Sequence, residues 1–352
     1  MEKLLLVTFP VDLGNATYET RFINLFKESP DIDLKLFRFA PNQVKGHPKS
    51  IFTIAYLLIF MERLKISIKL WKEIHQASRE GRKVLFHGVS TALFGYFGTG
   101  SNKSYIVTEW TRKLYEPIWK SSGSPIWLTW IHKKILSSQI SVLGLTDNVI
   151  KQMARDYNVP SSKLKKVKLP FCYDLNLFSP SQEREDKETR ILFVGGDFQR
   201  KGGDILLDWF KTNYQPGLKI TMVTNHPVED YPGISIEKNI QYGQPEHAKL
   251  FRNQDIFVLP TNCDSYPSVL GEAACAGLAI LTTKNALGAS EVINNGENGY
   301  ICNSQTELLE KLTTLVKDKA LISNMKQNSR QLMEKEFAYE RVLSDYIQYI
   351  FD

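Results

Sequence analysis

Cysteine and histidine are scarce, with four and six respectively among 352 residues. Cys172, Cys263, Cys275 and Cys302 show no Cys-x2-Cys spacing and no histidine at zinc-finger distance, which argues against a zinc module and fits a reducing, cytoplasmic compartment. Glycine and proline are scattered rather than clustered, so a collagenous or low-complexity chain is not expected. The longest apolar run, Ile51 to Met61 with Thr53 inside it, falls far short of the ~20 residues that span a bilayer. The apolar start at Leu4 reads as a buried first strand, because no small-residue cleavage site follows it promptly. Charge of neither sign dominates: the net charge of +6 is modest and no recognition motif accompanies it, so nucleic acid ranks last among partners.

What is present is an ordinary globular composition, 43% hydrophobic and 23% charged, on a length that favours two domains. Short runs rich in Leu, Val, Ile and Phe alternate with longer amphipathic stretches, the pattern of repeated βαβ units and parallel sheets. Strands are expected at Lys3–Thr8, Asp33–Phe37, Val84–His87, Ser104–Thr108 and Ser141–Leu145, then a helix over Asn148–Tyr157. After the charged, proline-containing stretch Pro170 to Arg190 the rhythm restarts, with strands at Arg190–Val194, Lys219–Val223, Asp255–Leu259 and Ala279–Thr283 and helices at Asp204–Thr212 and Ser268–Ala276. The resulting division is 1–170, a connection over 171–189, 190–336, and a C-terminal helix over 337–352 that crosses back or packs locally. Thr306 to Glu336 reads as one helical stretch.

Two segments carry chemistry. In ILFVGGDFQRKGGDILLDWF, a buried strand runs into Gly195-Gly196, then Arg200-Lys201, then Gly202-Gly203 and a helix. Glycines admit a ligand to the backbone, a helix N-terminus favours an anion, and two cations supply charge-assisted bonds to phosphate. A tight strand-to-helix turn with solvated cations explains the same residues equally well. In FVLPTNCDSYPSVLGEAACAGLAIL, Asp264 lies in the loop after a strand, Ser268 and Val269 open a helix with free amides, and Glu272 lies one turn further on. Singly, Asp264 reads as a turn residue and Glu272 as a helix-surface charge. Together they suit a diphosphate flanked by sugar and ribose hydroxyls.

With these features the sequence resembles the glycosyltransferases of the GT-B fold, specifically the large retaining group called family four. The shared features are FVGGDFQRKGG, the eight-position spacing of Asp264 and Glu272 before AACAGLAIL, and SEVINNGENGYIC, over roughly Leu143 to Asp352. The resemblance implies an α/β architecture of two Rossmann-like domains with parallel sheets facing each other across a cleft. It implies metal-independent, retaining transfer from a UDP-, GDP- or ADP-sugar to a glycan, lipid-linked or other hydroxyl acceptor, with no further cofactor. Lys201 then corresponds to the basic residue on the donor diphosphate, Glu272 to the acidic residue on the ribose, Asp264 to the one facing the donor sugar, and Ser268 and Val269 to the backbone donors. Gly195-Gly196 stands where the family frequently has Gly-Arg, so Arg200 is the expected second cation, and Asp264 replaces a glutamate.

In the first half, Gly14 in FPVDLGNATYE is the counterpart of the family's phosphate-approaching glycine loop, and its usual histidine is replaced by one of two alternatives, Glu109 or His87. Each has a structural reading as well, Glu109 as a partner of Arg112 or Lys113 and His87 as a satisfied turn residue. Two basic, aromatic stretches, Ile51 to Lys72 and Arg112 to Leu136, the second with Trp119, Trp127 and Trp130 beside Lys120, His132, Lys133 and Lys134, suit either a core or peripheral contact at the inner face of a membrane. The competing functions are a GT-B-fold sugar-nucleotide epimerase and a catalytically silent sugar-nucleotide-binding assembly partner. No motif sets the oligomeric state.

Overall fold

The computed structural model describes residues 1–9, 13–40, 54–99, 104–113, 126–171, 174–179, 187–240 and 245–352. Cys172, Trp119, Lys120 and, within the connection expected over 171–189, residues 172–173 and 180–186 lie outside them. The chain divides into two units, Met1–Val167 with Leu343–Asp352, and Lys168–Val342.

The first unit runs β1 (Glu2–Thr8), α1 (Leu13–Lys27), β2 (Ile32–Arg38), α2 (Ile54–Arg79), β3 (Lys83–His87), α3 (Val89–Thr99), β4 (Ser104–Thr108), α4 (Ile126–Ser138), β5 (Ser141–Gly144), α5 (Asp147–Tyr157) and β6 (Leu164–Lys166). Its sheet is parallel, in the order β2-β1-β3-β4-β5-β6. Crossovers are right-handed, so the reversal of direction at β1 puts α1 on one face and α2 to α5 on the other. Strands covered on both faces are continuously apolar, which is why β1 reads Leu4-Leu5-Leu6-Val7 with every side chain buried. On the second face Leu5, Phe86, Ile106 and Val142 pack against Leu70, Ala92, Ile135 and Val149 from the four helices.

The second unit follows with α6 (Asp174–Leu177), β7 (Thr189–Val194), α7 (Gly203–Asn213), β8 (Leu218–Val223), β9 (Ile234–Glu237), α8 (Pro245–Arg252), β10 (Ile256–Leu259), α9 (Ser268–Cys275), β11 (Ala279–Thr283), β12 (Gly299–Cys302), α10 (Gln305–Leu315) and α11 (Lys319–Glu336). Its parallel sheet is ordered β12-β11-β10-β7-β8-β9. The last helix, α12 (Tyr339–Ile350), carries Tyr346 onto Phe22 and Phe26 of α1 in the first unit, with ring centroids 5.9 and 5.7 Å apart.

Three strands were not expected: β6, β9 and β12. The first two are short, partly exposed edges with no apolar run to announce them. β12 lies within SEVINNGENGYIC, and Gly299 opens it because a β-carbon there would sit 2.0 Å from the Ile280 carbonyl oxygen. The stretch Thr306 to Glu336 is two helices rather than one. Asp318 starts α11 by accepting a hydrogen bond from the Leu321 amide.

Candidate functional site

In each sheet the strand order reverses once, and loops leaving adjacent strands in opposite directions open a crevice at the carboxyl edge. In the second unit that point lies between β7 and β10. The loop after β7 carries Gly195, Gly196, Arg200 and Lys201, and the loop after β10 carries Asp264. Gly202 joins them: its φ of +78° is left-handed, and a β-carbon would lie 2.3 Å from the Pro260 carbonyl oxygen. Only glycine lets the first loop seat so closely on the second. The Asn262 amide donates to the Arg200 carbonyl at 2.9 Å, and Gln305 Nε2 donates to Pro260 O at 2.7 Å, which fixes both loops.

On this frame Lys201 Nζ donates to Asp264 Oδ2, the two side chains being 15% and 13% exposed. Arg200, the expected second cation, is engaged with both loops. Its Nε bonds Asp197 Oδ2 at 2.8 Å and its Nη1 bonds the Cys263 carbonyl at 2.6 Å, leaving Asp264 at 3.8 Å. The guanidinium therefore laces the loops together, while the ammonium of Lys201 is the charge that meets the acidic residue directly. Gly195 is packed on the Phe193 ring, whereas Gly196 faces open space.

Four residues past Asp264, Ser268 begins α9. Its N-cap is Pro267, which contributes no side-chain hydrogen bond, so Ser268 and Val269 open the helix without a side-chain cap. Ser268 Oγ reaches Glu272 Oε1 at 3.5 Å. Glu272 is 1% exposed, and its other oxygen lies 3.2 Å from His247 Nε2 on α8. His247 is a residue that the sequence did not single out. It lies 25 positions away in a helix with no motif, and only the packing of α8 under β10 brings it to the carboxylate. Phe178 and Phe251 hold the imidazole edge-on, at 5.5 and 5.4 Å.

In the first unit the reversal lies between β1 and β3. Gly14 falls in the first turn of α1, with residues 10–12 before it outside the described residues. His87 ends β3 and Glu109 follows β4, and the alternatives read from the sequence turn out to be neighbours: His87 Nε2 lies 3.8 Å from Glu109 Oε2. Both are about nine-tenths buried or more, at 6% exposure each. Glu109 thus faces His87 rather than Arg112 or Lys113, and its Oε2 accepts no hydrogen bond among the described residues. The chain's Asp-x-Asp tripeptide, Asp31-Ile32-Asp33, opens β2 at the opposite edge, and Asp33 is engaged by Arg82 at 2.7 Å. Among the described residues no three of His, Cys, Asp and Glu converge as metal ligands.

Comparison with known proteins agrees with this architecture. Residues 176–332 match the family model of the glycosyl transferases group 1. A capsular polysaccharide biosynthesis glycosyltransferase, CapM of Staphylococcus aureus, is 24% identical over 160 residues, which cover 42% of this chain and 42% of that protein. The chain therefore spans less than half the length of this curated relative. Sucrose-phosphate synthase of Thermosynechococcus elongatus superposes with a TM-score of 0.74 at 14% identity, covering 99% of this chain and 98% of that one. Anabaena Alr3699/HepE, solved with UDP and glucose, superposes with a TM-score of 0.71 at 12% identity, covering 99% of each. The glycine-bounded loops, the Asp264 and Glu272 spacing, the two parallel six-stranded sheets and the matched segment converge: residues 176–332 are similar to the glycosyl transferases group 1, and the chain has the GT-B fold.

Proposed function

We propose that the chain transfers a sugar from a nucleotide-sugar donor to a hydroxyl acceptor with retention of anomeric configuration. The observation that carries this reading is the pairing of Lys201 with Asp264 in the crevice between β7 and β10, just ahead of the uncapped first turn of α9. An ammonium and two helix amides form an anion site of the kind that stabilises a departing diphosphate. Lys201 exchanges part of its contact with Asp264 for phosphate oxygen. Asp264 then accepts a hydrogen bond from the donor sugar, and Glu272, held by His247, accepts from the ribose. UDP is the first nucleotide to test, because it is the one bound to Anabaena HepE.

In the step itself the bond between the anomeric carbon and the diphosphate oxygen breaks, and the acceptor oxygen bonds that carbon on the same face. The acceptor proton passes to the leaving diphosphate, so the products are a glycoside and a nucleoside diphosphate. Positive charge grows on the sugar and negative charge on the phosphate. The fixed dipoles of α9 and the charge of Lys201 act on the latter.

The test is a binding and turnover screen of the purified chain with UDP-, GDP- and ADP-sugars, with EDTA present, comparing wild type with Lys201→Ala and Glu272→Ala. One donor should be bound and consumed, and Lys201→Ala should lower kcat/KM by about 10²–10³-fold, as loss of a charge aimed at a developing oxyanion does. Donor binding without turnover over a broad acceptor panel would instead assign the silent binding partner, and release of an altered sugar without acceptor would assign the epimerase.

A further inference from the structure

The first unit carries an exposed apolar and basic surface made by residues other than those of the candidate site. On α2, Met61, Leu64 and Ile68 are 44%, 36% and 42% exposed, and they share one helical stripe with Lys65, Lys69 and Lys72. The opposite side of the same helix buries Ser67, Leu70 and Ala77. On α4, Trp127 and Trp130 are 63% and 56% exposed, while Ile135 and Leu136 are buried. Lys134 lies over the Trp130 ring at 4.4 Å, on the same stripe. Helix α3 packs between α2 and α4, so both stripes belong to one face of the unit.

Their position along the helices matters as much as their composition. Ala40, two residues past the end of β2, lines a shallow hollow with Lys65, Ile68 and Lys69, which puts this part of α2 at the carboxyl edge of the sheet. Trp127 and Trp130 lie in the first turns of α4, the helix that starts from the carboxyl edge beyond β4. That is the edge where His87 and Glu109 meet. The charges are also one-sided. Glu62 is the acidic residue lining the hollow, and it is paired with Lys65 at 2.9 Å; among the described residues Lys69 and Lys72 have no carboxylate partner.

Apolar side chains and tryptophans flanked by uncompensated lysines fit a surface that offers acyl chains below and anionic headgroups above. Tryptophan favours the headgroup level, and each lysine near an anionic leaflet contributes about 1 kcal/mol. No helix among the described residues is long and apolar enough to cross a membrane, so the contact is peripheral. We propose that the α2 and α4 face docks on an anionic lipid bilayer, with Trp127 and Trp130 at the headgroup level and Lys69 and Lys72 over the charged surface. The contact presents the carboxyl edge of the first sheet to the membrane plane. It stands apart from the transferase reading, because vesicle binding requires neither donor nor acceptor.

The experiment is flotation of the purified chain with vesicles of phosphatidylcholine alone or with phosphatidylglycerol added, read beside quenching of tryptophan emission by brominated lipid. Wild type should float with the phosphatidylglycerol vesicles and stay behind with phosphatidylcholine, and 0.5 M salt should weaken binding, since ~4 Å screening replaces ~8 Å. Lys69→Glu with Lys72→Glu should lower partitioning at least tenfold, and Trp127→Ser with Trp130→Ser should abolish the quenching, each variant keeping the wild-type circular dichroism and melting temperature. Equal partitioning of wild type and folded variants, absence of binding to anionic vesicles, or burial of the tryptophans by self-association that the Trp127→Ser, Trp130→Ser variant dissolves would overturn the proposal.

Discussion

Gly202 shows how much one residue can carry. Its left-handed backbone and its contact with Pro260 leave no room for a side chain, so Gly202→Ala should cost on the order of 1–3 kcal/mol in urea denaturation and displace Lys201 next to it. Donor affinity should fall with it, and a variant as stable and as tight as wild type would refute the loop-seating argument. The Lys168 ammonium, hydrogen-bonded to Glu336, holds that carboxyl below its ordinary value of 4.5. A depressed carboxylate contributes stability that is present above the unfolded pKa and lost as pH falls. Removing the pair with Lys168→Ala should therefore lower the melting temperature near pH 7 and leave it closer to wild type near pH 3. Cys302 offers a simpler test. Burial, helped by Glu307, pushes its thiol up to about 11, and Cys263 and Cys275 are buried as well. At pH 8 a thiol reagent should label these three only on the timescale of unfolding, as mass spectrometry of labelled peptides can follow.

At the scale of elements, strands and helices were readable wherever local periodicity was strong. Ser104–Thr108 and Ala279–Thr283 have the expected ends, because a short run of apolar and β-branched residues closed by a charged residue, Glu109 or Lys284, admits little else. The break between α10 and α11 was not readable. Both helices have apolar residues at helical spacing, and only the cap marks the join: Asp318 accepts from the Leu321 amide at 2.9 Å. Asp318→Ala should cost about 1 kcal/mol, as lost N-caps do, with Asp318→Asn recovering most of it in the same denaturation experiment. A loss below a few tenths would mean that packing rather than the cap sets the helix start. The edge strands β6 and β9 were missed for a related reason, since a strand that is buried on neither face needs no hydrophobic run.

At the scale of the molecule, the chain ends where it began. The segment Leu343–Asp352 belongs to the same unit as Met1–Val167, and Tyr346, fully buried, fills the space between Phe22 and Phe26. Truncating a buried aromatic in this way costs about 3–5 kcal/mol, so Tyr346→Ala should melt the first unit at markedly lower temperature, while the second unit keeps its protection in hydrogen exchange. Equal losses in both units would show that they unfold as one.

The sequence by itself determined the alternation of β and α, the burial of strands such as β1, and the positions of Gly195, Lys201, Asp264 and Glu272 relative to strand and helix ends. These depend on interactions within a few residues of each position. Only the tertiary structure decided the partners: Lys201 with Asp264, Glu272 with His247, Arg200 with the Cys263 carbonyl, and His87 with Glu109. Such pairs are separated by 22 to 63 positions, and what joins them is strand order. Parallel crossovers return the carboxyl ends of sequence-distant strands to one edge, and a local pattern carries no record of which neighbour it will find there.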